Sequence, residues 1–168
     1  MNLQAYILQL RIQAAQLMLQ ILRLQAGRVN PDKARVLFET AKACIGKDMA
    51  PNENEFGCAE AVNNVFQKAF GVPVGGGLST YRMYQVLMAD KRFKRVFDPT
   101  AGDLIISPTG FGNGKIIGHV GIVSENDKIM SNNSSDGLWL ENYTVLSWKG
   151  RYVFIGGFPM AYYRVISG

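Results

Sequence analysis

The stretch 118–133, GHVGIVSENDKIMSNN, holds the only histidine of the chain, His119, and reads as a strand, a tight turn and a second strand. Side chains alternate along a strand, so His119 shares a face with Ile117, Gly121 and Val123, while Val120 and Ile122 take the other. A two-residue turn at Glu125 and Asn126 would set Ile122 opposite Ile129 and His119 opposite Asn132. A three- or four-residue turn would offer Asn133 or Ser134 instead. An imidazole oriented by a neighbouring acceptor is half of a nucleophilic site, which directs the search to a thiol or hydroxyl elsewhere.

Helical patterns come first in the chain and strands follow. Asn30 and Pro31 open a helix over 31–45 with an apolar face of Ala34, Leu37, Phe38, Ala41 and Ile45. Val62, Val65, Phe66 and Ala69 mark a second helix over 58–70, and 79–91 is a short third. Strands are expected over 104–107, along the two arms of the hairpin, and over 137–140, 152–156 and 161–166. Helices followed by an antiparallel sheet is the α+β pattern, with the helices packed on the sheet. The basic run Lys91–Arg95 reads as a solvated loop. The glycine-rich 71–77 lacks the GK[ST] ending and the preceding strand of a phosphate loop.

Residues 2–26 contain no glycine, proline or acidic residue. Leu3, Ile7, Leu10, Ala14, Leu17, Ile21 and Leu24 alternate spacings of four and three, an a/d heptad seam, and a second apolar seam runs beside it. The expectation is an extra amphipathic helix over 1–28, ahead of a domain at 29–168. That helix would pack on its own domain or on copies of itself, lie on a membrane surface, or span a bilayer. The eleven uncharged residues between Arg11 and Arg23 fall well short of the ~20 a span needs. No basic leader precedes a cleavage site, which argues against a removed signal peptide.

The chain has 168 residues, 48% hydrophobic, and a net charge of +5, enough for a real core and suited to an anionic partner such as nucleic acid, anionic lipid or an acidic cell-wall polymer. Its two cysteines, Cys44 and Cys58, are too few for a disulfide framework, and with one histidine and no CxxC they do not make a structural zinc site. Nothing in the pattern calls for a cofactor or a metal. Cys58 opens its helix, where the macrodipole and free N–H groups favour a thiolate and can hold an oxyanion. Cys44 lies late in its helix, where the dipole opposes ionisation. Gly57, Gly118 and Gly121 suggest room for a substrate around thiol and ring.

Taken in order, FGCAEAV (56–62), GDLII (102–106), GHVGIV (118–123) and a following strand with a polar end resemble the papain-like cell-wall peptidases of the CHAP and NlpC type. The likeness covers roughly 35–168. It implies a papain-like fold and a cysteine hydrolase that cuts an amide bond in peptidoglycan, with Cys58 as nucleophile, His119 as base and then acid, and Asn132 behind the ring. NlpC-type members often have a second histidine in that third place, whereas this chain has MSNNS at 130–134. The implied partner is the peptidoglycan stem peptide rather than nucleic acid, at the cell envelope, secreted or on a virion. A small hydrolase with an apolar leading helix also resembles phage lysis or entry enzymes. The rival expectations are a papain-like hydrolase of another amide or thioester, and a silent binding module. The loop PTGFGNGK (108–115) is expected to border the cleft, as are Trp139, Tyr143 and Trp148, at least one of them as core instead.

Overall fold

The structure is a computed structural model that describes residues 13–17, 31–52 and 57–167. Residues 13–17 are helical; the remainder of the expected leading helix, with its packing, membrane or self-association roles, lies outside the described residues. The chain divides into two compact units, Met1–Asn30 and Pro31–Gly168, and the following concerns the second. No helix among the described residues is long and apolar enough to cross a membrane.

Three helices lead: α1 (Pro31–Ala43), α2 (Cys58–Phe70) and α3 (Thr80–Ala89). The i, i+3, i+4 spacing of α1 buries Ala34, Leu37, Phe38 and Ala41. Ile45 lies past the helix end and is exposed. In α2 the stripe Val62, Val65 and Phe66 is fully buried, and Gly71 ends the helix at a left-handed φ of 77°, its N–H reaching the Gln67 carbonyl at 2.8 Å.

Six antiparallel strands form one sheet in the order β1-β6-β2-β3-β4-β5. They are β1 (Phe93–Val96), β2 (Leu104–Ser107), β3 (His119–Val123), β4 (Lys128–Asn132), β5 (Trp139–Thr144) and β6 (Ala161–Val165). Leu104, Ile106, Val120, Ile122 and Met130 face the helices, in one core with Val62, Phe66 and Trp139. Ile105, Val123 and Ile129 face the other way, toward Trp148, Tyr152 and Phe158. That second layer comes from α4 (Val145–Trp148), which runs on as a π-helix, Lys149–Ile155.

Three expectations change, for the basic cluster, residues 152–156 and the hairpin turn, while the core reading allowed for the aromatic residues applies to both tryptophans. The basic cluster contains an edge strand: Phe93 is buried and pairs with Val165, while Lys94 and Arg95 project outward, where charge discourages further strands from adding. Residues 152–156 are wound, not extended. A reciprocal cap starts the helix directly after β5, with Thr144 Oγ1 accepting the Ser147 N–H at 3.0 Å and Ser147 Oγ accepting the Thr144 N–H at 2.8 Å. The winding turns Tyr152 inward and leaves Phe154 and Ile155 exposed. Trp139 and Trp148 are both fully buried core residues, their indole N–H groups donating to the Ala41 carbonyl at 3.0 Å and to Ser107 Oγ at 3.1 Å. The hairpin takes the three-residue turn, Glu125, Asn126 and Asp127, in place of the two-residue one: Ser124 N–H donates to the Lys128 carbonyl at 2.8 Å, and Asn126 and Asp127 have φ of 53° and 58°. The strands then pair Ile122 with Met130 and Val123 with Ile129, not Ile122 with Ile129.

The GD pair is structural. A Cβ on Gly102, at φ +91°, would lie 1.9 Å from the Ala34 carbonyl oxygen, so α1 can approach only a glycine here. Asp103, fully buried, accepts from Arg164 Nε at 2.8 Å and Nη2 at 2.7 Å and from the Thr100 N–H at 2.7 Å, fastening β6 to the start of β2. Asp103→Ala strands the guanidinium and the Thr100 N–H. It should lower unfolding free energy by about 3 kcal/mol, read as a lower urea midpoint at unchanged slope.

Candidate active site

Gly57 caps α2 without a side-chain hydrogen bond, and Cys58 follows as the first helical residue, so its sulfur sits beside the N–H groups that a helix start leaves free. His119 begins β3 on the opposite side of the sheet from Val120, opposite Ser107. Both side chains are nearly buried, at 8% and 9% exposure, and both line one cleft of about 420 Å³. Leu78, Thr80, Thr109, Ile117, Asn132, Tyr143 and Arg151 are among its other walls.

The cleft is braced by hydroxyls. Thr80 Oγ1 donates to Thr109 Oγ1 at 2.9 Å and accepts the Thr109 N–H at 3.1 Å, while Thr109 Oγ1 accepts the Gly118 N–H at 3.1 Å. Thus the 108–115 loop borders the cleft through its Thr109 end. The glycines beside His119 do not serve to make room for a substrate. A Cβ on Gly118 would come within 2.3 Å of the Ser107 carbonyl and the Thr109 nitrogen, and one on Gly121 within 2.6 Å of the Met130 carbonyl. Backbone, not ligand space, excludes a side chain at both positions.

The ring is held by residues other than Asn132. His119 Nε2 meets Ser131 Oγ at 3.0 Å, and that hydroxyl donates its single proton to Asn142 Oδ1 at 2.7 Å. Ser131 therefore accepts from the ring, Nε2 carries the hydrogen, and Nδ1 is left as the ring's acceptor. The imidazole stacks on Tyr152, with centroids 5.4 Å apart and planes 13° apart, and lies 5.3 Å from Trp148 and 5.8 Å from Tyr143. The hydroxyls of Tyr143 and Tyr152 are 3.0 Å apart.

Asn132 follows from the displaced register. It alternates with Ser131 and so falls on the face away from the ring, where it lines the cleft with Cys58 and its buried Oδ1 has no partner among the described residues. Ser131 and Asn142 were not singled out in the sequence; the displaced register, placing Ser131 on the face of His119, was the signal that could have found the first.

Burial pushes the Cys58 thiol up to about 11, although the N–H groups of Val120, Ala59 and Cys58 itself pull the other way. Burial also draws the His119 imidazole down to about 3, helped by the Arg151 charge. Desolvation outweighs the helix dipole, and thiol and ring rest neutral. Cys44 is buried and also raised, again by desolvation first. No hydrogen bond joins Cys58 to His119 among the described residues. Nor do three His, Cys, Asp or Glu side chains gather there in a way that could hold a metal ion.

The chain superposes on a chain of the type VI native effector–immunity complex Tae3-Tai3 from Ralstonia pickettii with a TM-score of 0.53 and 17% identity, covering 79% of this chain and 98% of that one. The fold is papain-like. No family model matches the sequence, and no curated protein matches it. The papain-like frame accounts for the convergence of helix start and strand start on one cleft, and it leaves the ring's support to be read from this chain's own Ser131 and Asn142.

Because the thiol is protonated below about 11, iodoacetamide alkylation of Cys58 should climb about tenfold per pH unit from pH 7 to 10 without a plateau. A rate already flat at pH 7, followed by mass spectrometry of the labelled peptide, would show a resting thiolate instead.

Proposed function

We propose that this chain is a cysteine hydrolase that cleaves an amide bond of bacterial peptidoglycan, in the manner of CHAP- and NlpC-type enzymes, as an endopeptidase of the stem peptide or an amidase at its sugar linkage. The observation that carries the reading is the shared cleft of Cys58 and His119, with the ring's Nε2 engaged by Ser131 and its Nδ1 left to accept a proton. The papain-like fold and the net charge of +5, suited to an anionic wall, support it. Its place of action on this reading is the cell envelope.

In the first half-reaction the Cys58 sulfur attacks the amide carbon while His119 Nδ1 takes the thiol proton. The carbonyl oxygen, now negative, turns toward the N–H groups at the start of α2. Collapse breaks the C–N bond, the imidazolium gives its proton to the leaving amine, and a thioester remains on Cys58. Water, deprotonated by the same ring, then releases the acid and restores the thiol. Ser131 and Asn142 hold the tautomer throughout, and Asn132 forms a wall of the substrate cleft rather than the support of the ring. A silent module is the reading that the protonated, buried thiol favours, and the wall assay separates the two.

Purified cell walls should lose turbidity with the wild-type chain and not with Cys58→Ala, the masses of released fragments identifying the bond; equal clearing by both would sink the proposal. Ser131→Ala and Asn142→Ala should each lower kcat about ten- to a hundredfold. The double variant should be little worse than either, because the two act as one relay. Asn132→Ala should raise KM more than it lowers kcat.

A further inference from the structure

Arg151 sits in the π-helix and contributes the cationic side chain of the cleft wall. No aspartate or glutamate among the described residues lines that cleft, and none of the salt bridges among them involves Arg151. By contrast Arg164 and Arg92 are both spent on aspartates, Asp103 and Asp90. The Arg151 guanidinium lies 5.8 Å from the centroid of the Tyr152 ring, the same ring on which His119 stacks. It is thus a solvent-exposed planar fork on the cleft wall beside Tyr152, with no carboxylate partner among the described residues.

We propose that Arg151 reads a free carboxylate of the substrate, so that this cleft selects peptide amides with a carboxylate near the scissile bond. The inference rests on the hydrolase reading above and names its substrate class. Two parallel N–H···O bonds are the geometry a guanidinium offers a carboxylate and withholds from a carboxamide. The rest of the wall fits such a ligand: Leu78 and Ile117 accept apolar stem, Thr80 and Thr109 offer hydroxyls, and no aspartate or glutamate among the described residues lines it. The pairing also bears on the chemistry. Arg151 is one of the two causes that oppose protonation of His119. A carboxylate seated on the guanidinium cancels that repulsion as the ring receives the thiol proton, so a correctly charged substrate assists its own turnover.

The test uses a synthetic wall stem peptide whose free carboxylates are amidated one at a time, which separates an internal carboxylate from the C-terminal one. Binding to the full chain carrying Cys58→Ser is measured by calorimetry, and hydrolysis by the chain with Cys58 intact is followed in parallel. One carboxylate form should bind about tenfold tighter than its carboxamide, and Arg151→Gln should bring that ratio to about one, with Arg151→Lys between. Equal affinity for all forms, absence of binding, or a ratio unmoved by Arg151→Gln would overturn the assignment. Carboxylate-selective binding through Arg151 without hydrolysis of any form would overturn the hydrolase reading and leave the carboxylate site standing.

Discussion

The burial of His119 between the sheet and an aromatic layer is the constraint from which the rest of the cleft follows. A ring taken out of water must have its N–H satisfied, and Ser131 does so at 3.0 Å, itself anchored on Asn142. The ring must also be covered, and α4 supplies Trp148 and the π-helix Tyr152 for that purpose. Trp148 is in turn tied to Ser107, the residue paired with His119 across β2 and β3. One strand position thus dictates the hydroxyl at 131, the amide at 142 and the winding of the segment after β5.

How much of this was legible in the sequence depended on whether the signal was local. The helix over 58–70 has its period, its glycine stop and its cysteine start in contiguous residues, and the structure agrees with it at both ends. The strand over 104–107 likewise stands as read. The hairpin was legible as a hairpin, but its turn has three residues, Glu125 to Asp127, and the resulting one-residue displacement of the register exchanges which of Ser131 and Asn132 faces the ring. Residues 152–156 carry strand-like composition, and what overrides it is a cap at Thr144 and a tertiary demand for an aromatic ring over His119. Phe93 shows the same limit: its burial against α2 and β6 is invisible within a run of lysines and arginines. The GD pair was visible as a motif, yet its physical content, a carbonyl contact and a buried ion pair, resides in partners more than sixty residues away.

Thiol and imidazole approach the cleft from opposite layers. Cys58 belongs to the helix-side core, whereas His119 belongs to the face covered by the π-helix. They can meet only at the rim of the sheet, where β3 starts, and there the loop before His119 must be stationary. The Thr80, Thr109 and Gly118 hydrogen bonds fasten that loop to α3, and Gly118 admits no side chain against Ser107 and Thr109. The rim is thereby held from both layers at once.

This arrangement sets the energetics of the proposed chemistry. With burial holding the thiol up near 11 and the ring down near 3, moving a proton from sulfur to Nδ1 in the substrate-free cleft is uphill. A preformed ion pair is therefore not the resting state, and the N–H groups at the α2 start act on charge only as it develops. The substrate must supply part of what is missing. On the proposed reading its carbonyl carries the negative charge away from sulfur to the helix N–H groups, and a carboxylate on Arg151 offsets the repulsion that this charge exerts on the imidazolium. A thiol and ring that stay neutral until both groups arrive tie the reactivity of the proposed nucleophile to the identity of what the cleft holds.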